Sequence, residues 1–387
     1  MLAHFAHHLL TALPVPLLPF IRDDFALNYT KSALVVSAFT LSYGIGQLPA
    51  GRLADRIGPR MLVTIGISGV ALAGLLVGLS QSYMMMLVFL VLMGLLGGGY
   101  HPAASPAISA SVEPRNRGRA LGVHMIGGSA SYFLSPVIAA AIAAAWGWRS
   151  PFIGLAIPAI GFGILFYLLL GRRVAVKEAE HGTIDSHKQA PSTPGHLRRL
   201  APFLTLSTFT LALVISIISF IPLFLVDHLG MNKEMAAASI ALIYSSGLWA
   251  GILGGYLSDH LGRIPVILVT CFVAGPVIYL LNLVSPGWSA AALLIVIGMI
   301  IYVRSPVSEA YIIDHTSEGN RSTILGIYYF SSMEGSGVLT PAIGYLIDHF
   351  GFYTSFTIAA IALFVVTLVC TIWLWGSRER LPWSRLP

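Results

Sequence analysis

Charge is what this 387-residue chain has least of: 22 Lys and Arg and 16 Asp and Glu make up only 10% of it. A soluble globular chain averages about 25% charged residues, and so few ionisable side chains cannot cover a water-facing surface of this size. That excludes an ordinary soluble enzyme, a nucleic-acid-binding domain and a disordered chain, and leaves a polytopic membrane protein. Cysteine is nearly absent as well. Cys271 and Cys370 both lie inside apolar runs, which argues against a disulfide framework and offers no metal-type Cys spacing. There is no Walker-type phosphate loop and no G-x-S-x-G or H-E-x-x-H signature. Direct ATP drive and a familiar hydrolase centre are therefore not expected, and no cofactor is implied.

What the chain has in abundance is apolar sequence, 56% of its residues. A helix needs about 20 apolar residues to cross a bilayer. Twelve such runs can be marked, at 1–21, 32–51, 61–80, 84–110, 120–144, 150–170, 201–227, 234–256, 264–284, 289–313, 322–346 and 352–376. Residues 1–21 have no basic segment before them and no small-residue cleavage site after them. Pro14, Pro16 and Pro19 interrupt them, so they read as a first transmembrane helix and not as a signal peptide. With both termini placed in the cytoplasm, 17 Lys and Arg fall on the cytoplasmic side and 4 (Arg22, Lys31, Arg149 and Lys233) on the other. That bias sets the expected orientation in a cell inner membrane, and it also explains the net positive charge without a polyanionic partner.

Residues 171–200 carry Lys177, Glu178, Glu180, Asp185 and Lys188 with Pro191 and Pro194. They read as a cytoplasmic linker between an N-terminal six-helix bundle (1–170) and a C-terminal one (201–376), followed by a cytoplasmic tail (377–387). A shift of 204 residues superimposes landmarks of the two halves. Gly51, Asp55 and Gly58 fall on Gly255, Asp259 and Gly262; Pro102 falls on Pro306, Arg117 on Arg321, Gly122 on Gly326 and Gly147 on Gly351. Asn28 and Phe20 meet Asn232 and Phe224 in the same way. Nine matches at one offset argue for duplication. An even number of spans separates the copies, so the halves share an orientation, as a rocking secondary transporter requires.

The loop after the second run reads Gly51-Arg52-Leu53-Ala54-Asp55-Arg56-Ile57-Gly58-Pro59-Arg60, and the second half repeats it as Gly255-Tyr256-Leu257-Ser258-Asp259-His260-Leu261-Gly262-Arg263. It resembles the loop signature of the major facilitator superfamily, G-x-L-a-D-r-x-G-x-R. The resemblance covers the whole chain and implies an all-α membrane protein of twelve transmembrane helices in two pseudo-symmetric six-helix bundles. An aspartate at a helix end can accept from a neighbouring helix N-terminus and pair with arginine. Asp55 is accordingly expected to latch the cytoplasmic side, with Gly51, Arg56, Arg60, Arg117, Asp259, Arg263 and Arg321 in supporting gating roles. Exporters of this superfamily often carry G-x8-G-x3-G-P-x2-G-G in the fifth span. Here Gly122, Ser131, Ser135-Pro136 and Ala139-Ala140 stand at those positions, mostly changed but all small. His4, Leu13-Pro14, Leu17-Leu18-Pro19, Gln47-Leu48-Pro49-Ala50-Gly51 and Gly98-Gly99-Tyr100-His101-Pro102 are similar to the fosmidomycin-resistance-type exporters. That group tends to have an acidic residue where His8 sits, and drug/proton antiporters often have a basic residue where Met93, Gly94 and Gly97 stand.

Ionisable side chains inside a membrane are functional candidates by default. Arg304 and Glu309 lie in the tenth run, Glu334 in the eleventh, His4, His7 and His8 in the first, His101 in the fourth and His124 in the fifth. Arg304, Glu334, Glu309, His101, His8 and His4, with the neutral donors Tyr43, Gln47, Tyr100 and Tyr329, form the expected substrate and proton-coupling set. Glu334 is the expected counter-charge of Arg304. Histidines at i, i+3 and i+4 could bind a metal, but no carboxylate or thiol accompanies them, and no metal site is expected. The leading expectation is a monomeric, proton-coupled exporter of a small organic solute. The alternatives are an uptake symporter for an organic anion held by Arg304, an intramembrane enzyme, and a non-transporting receptor. A small molecule, protons and the bilayer are the expected partners, and nucleic acid is not.

Overall fold

A computed structural model describes residues 1–113, 116–177, 196–316 and 318–376, and the described elements are helical throughout. The first run is two helices, α1 (Leu2–Thr11) and α2 (Leu18–Asp24), parted where Pro14 and Pro16 supply no backbone donor. Next come α3 (Tyr29–Gln47) and α4 (Ala50–Ile57). The third run is α5 (Pro59–Thr64), a π turn (Ile65–Gly69) and α6 (Val70–Gly78). The fourth is α7 (Tyr83–Gly98) and α8 (Tyr100–Ala110); α9 (Arg117–Trp146) and α10 (Arg149–Lys177) complete the first half. The second half holds α11 (His196–Asp227), α12 (Lys233–Ser245), α13 (Ala250–Leu261), α14 (Arg263–Leu280), α15 (Trp288–Asp314) and α16 (Glu318–Gly376). Helix α10 runs on, and α11 starts, inside the stretch expected as linker. Residues 178–195 of that stretch and the tail 377–387 lie outside the described residues.

Among the described residues, eight helices are long and apolar enough to cross a bilayer, nine if the α12–α13 pair, bent by 40°, is one span. The count falls short of twelve for physical reasons. The first run is broken into two short helices. The second forms α3, which is 19 residues long but carries Lys31, Gln47 and several Ser and Thr and is not apolar enough to be counted. The stretch Thr323–Leu374 counts once, although Gly351 (φ 73°) breaks it into two helices. Burial separates inner from outer helices: 78% of the α11 window is buried inside the protein, against 22% of the α10 window. Large side chains such as Ile252, Val269 and Trp288 remain exposed, as expected for a surface solvated by lipid.

The 204-residue repeat is visible in three-dimensional detail. Asn28 and Asn232 cap α3 and α12 alike, their side chains accepting from Lys31 N (2.9 Å) and Met235 N (2.7 Å). Gly58 (φ 81°, ψ 148°) and Gly262 (φ 90°, ψ 154°) make the same turn in the two motif loops, a backbone region that favours glycine. A side chain at Gly94 would strike Ser42 Oγ and the Phe39 carbonyl, and one at Gly298 would strike Ser246 Oγ and the Ile243 carbonyl. All three of those pairs are 204 apart.

Candidate functional site

Helix α1 carries its three histidines into the first half of the protein, where His4, His7 and His8 are buried. His4 Nδ1 donates to the His124 carbonyl of α9 (2.9 Å). His7 Nδ1 donates to the Gly66 carbonyl (2.6 Å), and its Nε2 meets Tyr43 OH (3.1 Å). Gly66 lies in the π turn, whose i→i+5 pattern displaces carbonyls from the ordinary helical ladder. His8 Nδ1 bonds Thr11 Oγ1 (3.0 Å), and its Nε2 lies 3.2 Å from His101 Nε2 of α8. Tyr100 stacks on His7 at 4.2 Å between ring centroids, and its buried hydroxyl has no partner among the described residues. The expected residues His4, His8, His101, Tyr43 and Tyr100 are therefore brought together. Gln47 is not part of the group; its backbone packs on Gly98.

Arg304 lies inside the second half, 1% exposed. Its Nη1 donates to the Ser207 carbonyl (3.0 Å), to Tyr328 OH (3.1 Å) and to Ser207 Oγ. Its Nη2 is buried without a partner among the described residues. Hydrogen bonds to a charged group contribute about 1.5–3 kcal/mol each, against a burial cost of several kcal/mol for the ion. The hydroxyl cage thus offsets much of the cost but supplies no counter-charge. Residue Arg304 is the 204-shifted equivalent of Tyr100, and Tyr328 that of His124. The two halves put their buried polar groups in corresponding places.

The expected Arg304–Glu334 pair is not formed. Glu334 lies instead against Gly44 of α3, in the other half, with Oε1 buried and unpartnered among the described residues. Helix geometry explains the difference. Tyr328, which reaches Arg304, and Glu334 are six residues apart on α16, and at 100° per residue they point about 120° apart. Glu309 accepts from Ser305 Oγ (3.4 Å) on its own helix and stands beside Tyr329.

The halves are tied together at the end holding Arg22 and Asp227. Arg22 pairs with Asp227, Lys233 with Asp23, and Tyr29 OH donates to Asp227 (2.8 Å). Asp348 of α16 caps α3, accepting from Tyr29 N (2.8 Å), Thr30 N (2.9 Å) and Thr30 Oγ1 (2.6 Å). A carboxylate on a neighbouring helix N-terminus is the role anticipated for Asp55; at this end Asp348 performs it. At the opposite end the described arginine contacts stay within one half. Arg60 donates to the Tyr167 carbonyl (2.7 Å) and lies over its ring. Arg117 donates to the Ser109 carbonyl (3.1 Å), and Arg263 bonds Asp259 (2.7 Å), Asp314 (3.3 Å) and Ser258 (2.6 Å). Arg56 is exposed. The side chains of Gly51, Asp55 and Arg321 lie outside those described. Asp348, Ser207 and Ser308 carry no motif that marks them in the sequence, because their partners are remote in the chain.

Two repeated helical halves, interlocked at one end and enclosing buried ionisable groups, define a membrane carrier. The sequence profile of the Major Facilitator Superfamily matches residues 1–304, and the chain belongs to that superfamily; it is a transporter, not an enzyme. It is 23% identical over 380 residues to a hexuronate transporter of Bacillus subtilis (strain 168), covering 92% of this chain and 88% of that one. It is 25% identical over 363 residues to the multidrug resistance protein MdtG of Salmonella paratyphi C (strain RKS4594), covering 90% and 85%. In fold it is similar to a bacterial homologue of the human lysosomal transporter Spinster in an inward-facing and occupied conformation. The TM-score is 0.76 and the identity 17%, with 96% of this chain and 94% of that one covered.

Proposed function

We propose that the chain is a proton-coupled exporter of a small organic solute, working by alternating access between bundles 1–170 and 201–376. Both termini are cytoplasmic, and the Arg22 end, sealed in this conformation, faces outward. The observation that carries the coupling is Glu334. It is a carboxyl at the seam between the halves, packed on Gly44 of the opposite half and facing no cation among the described residues. A group in that position changes surroundings when the halves rock, so proton uptake and release can be tied to the motion. Export is supported by the fifth-span pattern. Ser131, Ser135, Ala139 and Ala140 are buried, and Ser135 Oγ donates to the Leu9 carbonyl of α1 (2.8 Å), as close packing of small residues allows. Gly122 is exposed and takes no part. The drug-resistance relative and the resemblance to fosmidomycin-resistance-type exporters point the same way.

A second reading, uptake of an organic anion, is favoured by one feature: Arg304 has a free Nη2 and no carboxylate against it among the described residues. The hexuronate-transporting relative is consistent with it. Reconstituted vesicles with an acidic exterior separate the two. An antiporter expels loaded compound, a symporter accumulates external compound, and movement indifferent to the gradient contradicts proton coupling.

A further inference from the structure

We infer that His4, His8 and His101 form a binding site for one divalent transition-metal ion of the zinc, cobalt or nickel kind. The site lies in the first half and is independent of the Glu334 reading. One ring nitrogen from each of the three lies within 4.8 Å of the others. The hydrogen bonds around the rings fix which nitrogens are bare. The His124 carbonyl can only accept, so His4 Nδ1 holds its proton and Nε2 presents a lone pair; that Nε2 is buried with no partner among the described residues. Thr11 Oγ1 uses its own proton on the His8 carbonyl (3.4 Å). With that proton placed there, Thr11 Oγ1 accepts from His8 Nδ1 (3.0 Å), and in this tautomer His8 Nε2 is bare as well. A metal-binding histidine usually has its second nitrogen anchored to a carbonyl or other acceptor in this way.

His8 Nε2 lies 3.2 Å from His101 Nε2, and the His4 ring, which carries the bare Nε2, has its centroid 4.8 Å from that of His8 and 5.0 Å from that of His101. Nitrogens about 2.0–2.1 Å from a tetrahedral ion stand about 3.3 Å apart; His8 and His101 already have that spacing at 3.2 Å, and the His4 ring closes on them from within 4.8 Å. A hydrogen bond from His101 to His8 satisfies that pair alone and leaves His4 Nε2 orphaned, whereas an ion uses all three. Neutral imidazoles suit zinc, cobalt, nickel and copper over magnesium or calcium. His101 is partly exposed, which leaves a fourth position for water or an anion. No carboxylate of the described residues joins the three nitrogens, so an anionic fourth ligand would reduce the buried charge. His7 is not a ligand, because Gly66 and Tyr43 already engage both its nitrogens.

The test is titration of the full-length detergent-solubilised protein, purified on a tag without histidine, with Zn2+ by calorimetry and with Co2+ by visible absorption. The wild type should take up one ion per chain, give the absorption of four-coordinate Co2+, and melt at a higher temperature with Zn2+. His8→Gln and His101→Gln should each weaken binding at least about tenfold. His260→Gln, at an exposed position, should not. Failure of the wild type to bind stoichiometrically overturns the site, and so does unchanged affinity in a His8 or His101 variant with a cooperative melt.

Discussion

Arg22 of the first half is paired with Asp227 of the second, 205 positions away in the chain. Their ion pair, the Lys233–Asp23 pair and the Asp348 cap on α3 hold the same end shut. Partly exposed pairs contribute about 0.2–1 kcal/mol each, so Asp227→Asn alone should shift the conformational balance only a few-fold. Asp227→Asn with Asp348→Asn removes the acceptors of several contacts and should shift it about tenfold or more. Distances between spin labels placed on both halves at that end report the shift, and an unchanged distribution in the double variant contradicts the lock.

The Lys233–Asp23 part of the lock should be indifferent to pH in the physiological range. Burial would raise the Asp23 carboxyl, but hydrogen bonds from Lys233 and Arg22 outweigh it and hold the group below the ordinary carboxylate value. A depressed value means that the stabilisation is complete above the usual pKa of about 3.9 and is lost only as pH falls through the lower one. Label distances at this end should therefore be constant between about pH 5 and pH 8. Any pH dependence of transport in that window must arise elsewhere, and Glu334→Gln should remove it.

Arg304 separates a structural from a functional buried charge. Arg304→Met removes an ion that has no carboxylate partner among the described residues, and the net change in stability should be small, within about 2 kcal/mol, because relief of burial offsets lost hydrogen bonds. Transport of an anionic substrate should fall at least tenfold. Arg304→Lys should not rescue it, since an ammonium cannot hold the Nη1 contacts to Ser207 and Tyr328 and present a second planar donor arm, Nη2, at the same time. Melting curves and uptake of the same variants decide the matter; a large loss of stability with normal transport by the survivors makes Arg304 structural.

Gly298 tests the repeat. A methyl group there meets the Ile243 carbonyl and Ser246 Oγ, and backbone cannot yield cheaply, so Gly298→Ala should destabilise by about 1–3 kcal/mol. Gly94→Ala should behave alike, at the equivalent contact with Phe39 and Ser42. By contrast Gly122→Ala, where a methyl group meets nothing within 4 Å, should be neutral in the same melting assay.

Much of this was legible in the residues. Scarce charge, apolar runs and the Gly58 and Gly262 loops specified a duplicated helical transporter, because hydropathy and turn chemistry are local. The histidines of α1 were legible as one face, since i, i+3 and i+4 are neighbours on any helix. Their union with His101 was not, because it depends on how α1 meets α8. The Arg304–Glu334 pairing failed for a related reason. Depth in the membrane can be counted along a run, but the direction of a side chain around its helix is set by packing, and there Tyr328 rather than Glu334 faces Arg304. Asp348 was overlooked because a cap on another helix leaves no local signal.

If proton flow through Glu334 drives transport, wild type and Glu334→Gln should differ in the same proteoliposomes. Two quantities are measured for one transported compound: exchange at equal pH on both sides, and net movement against a concentration gradient under an imposed pH gradient. The variant should keep exchange and lose the driven movement, since it can still rock but no longer carries the proton. Driven movement at the wild-type rate in Glu334→Gln would contradict the account.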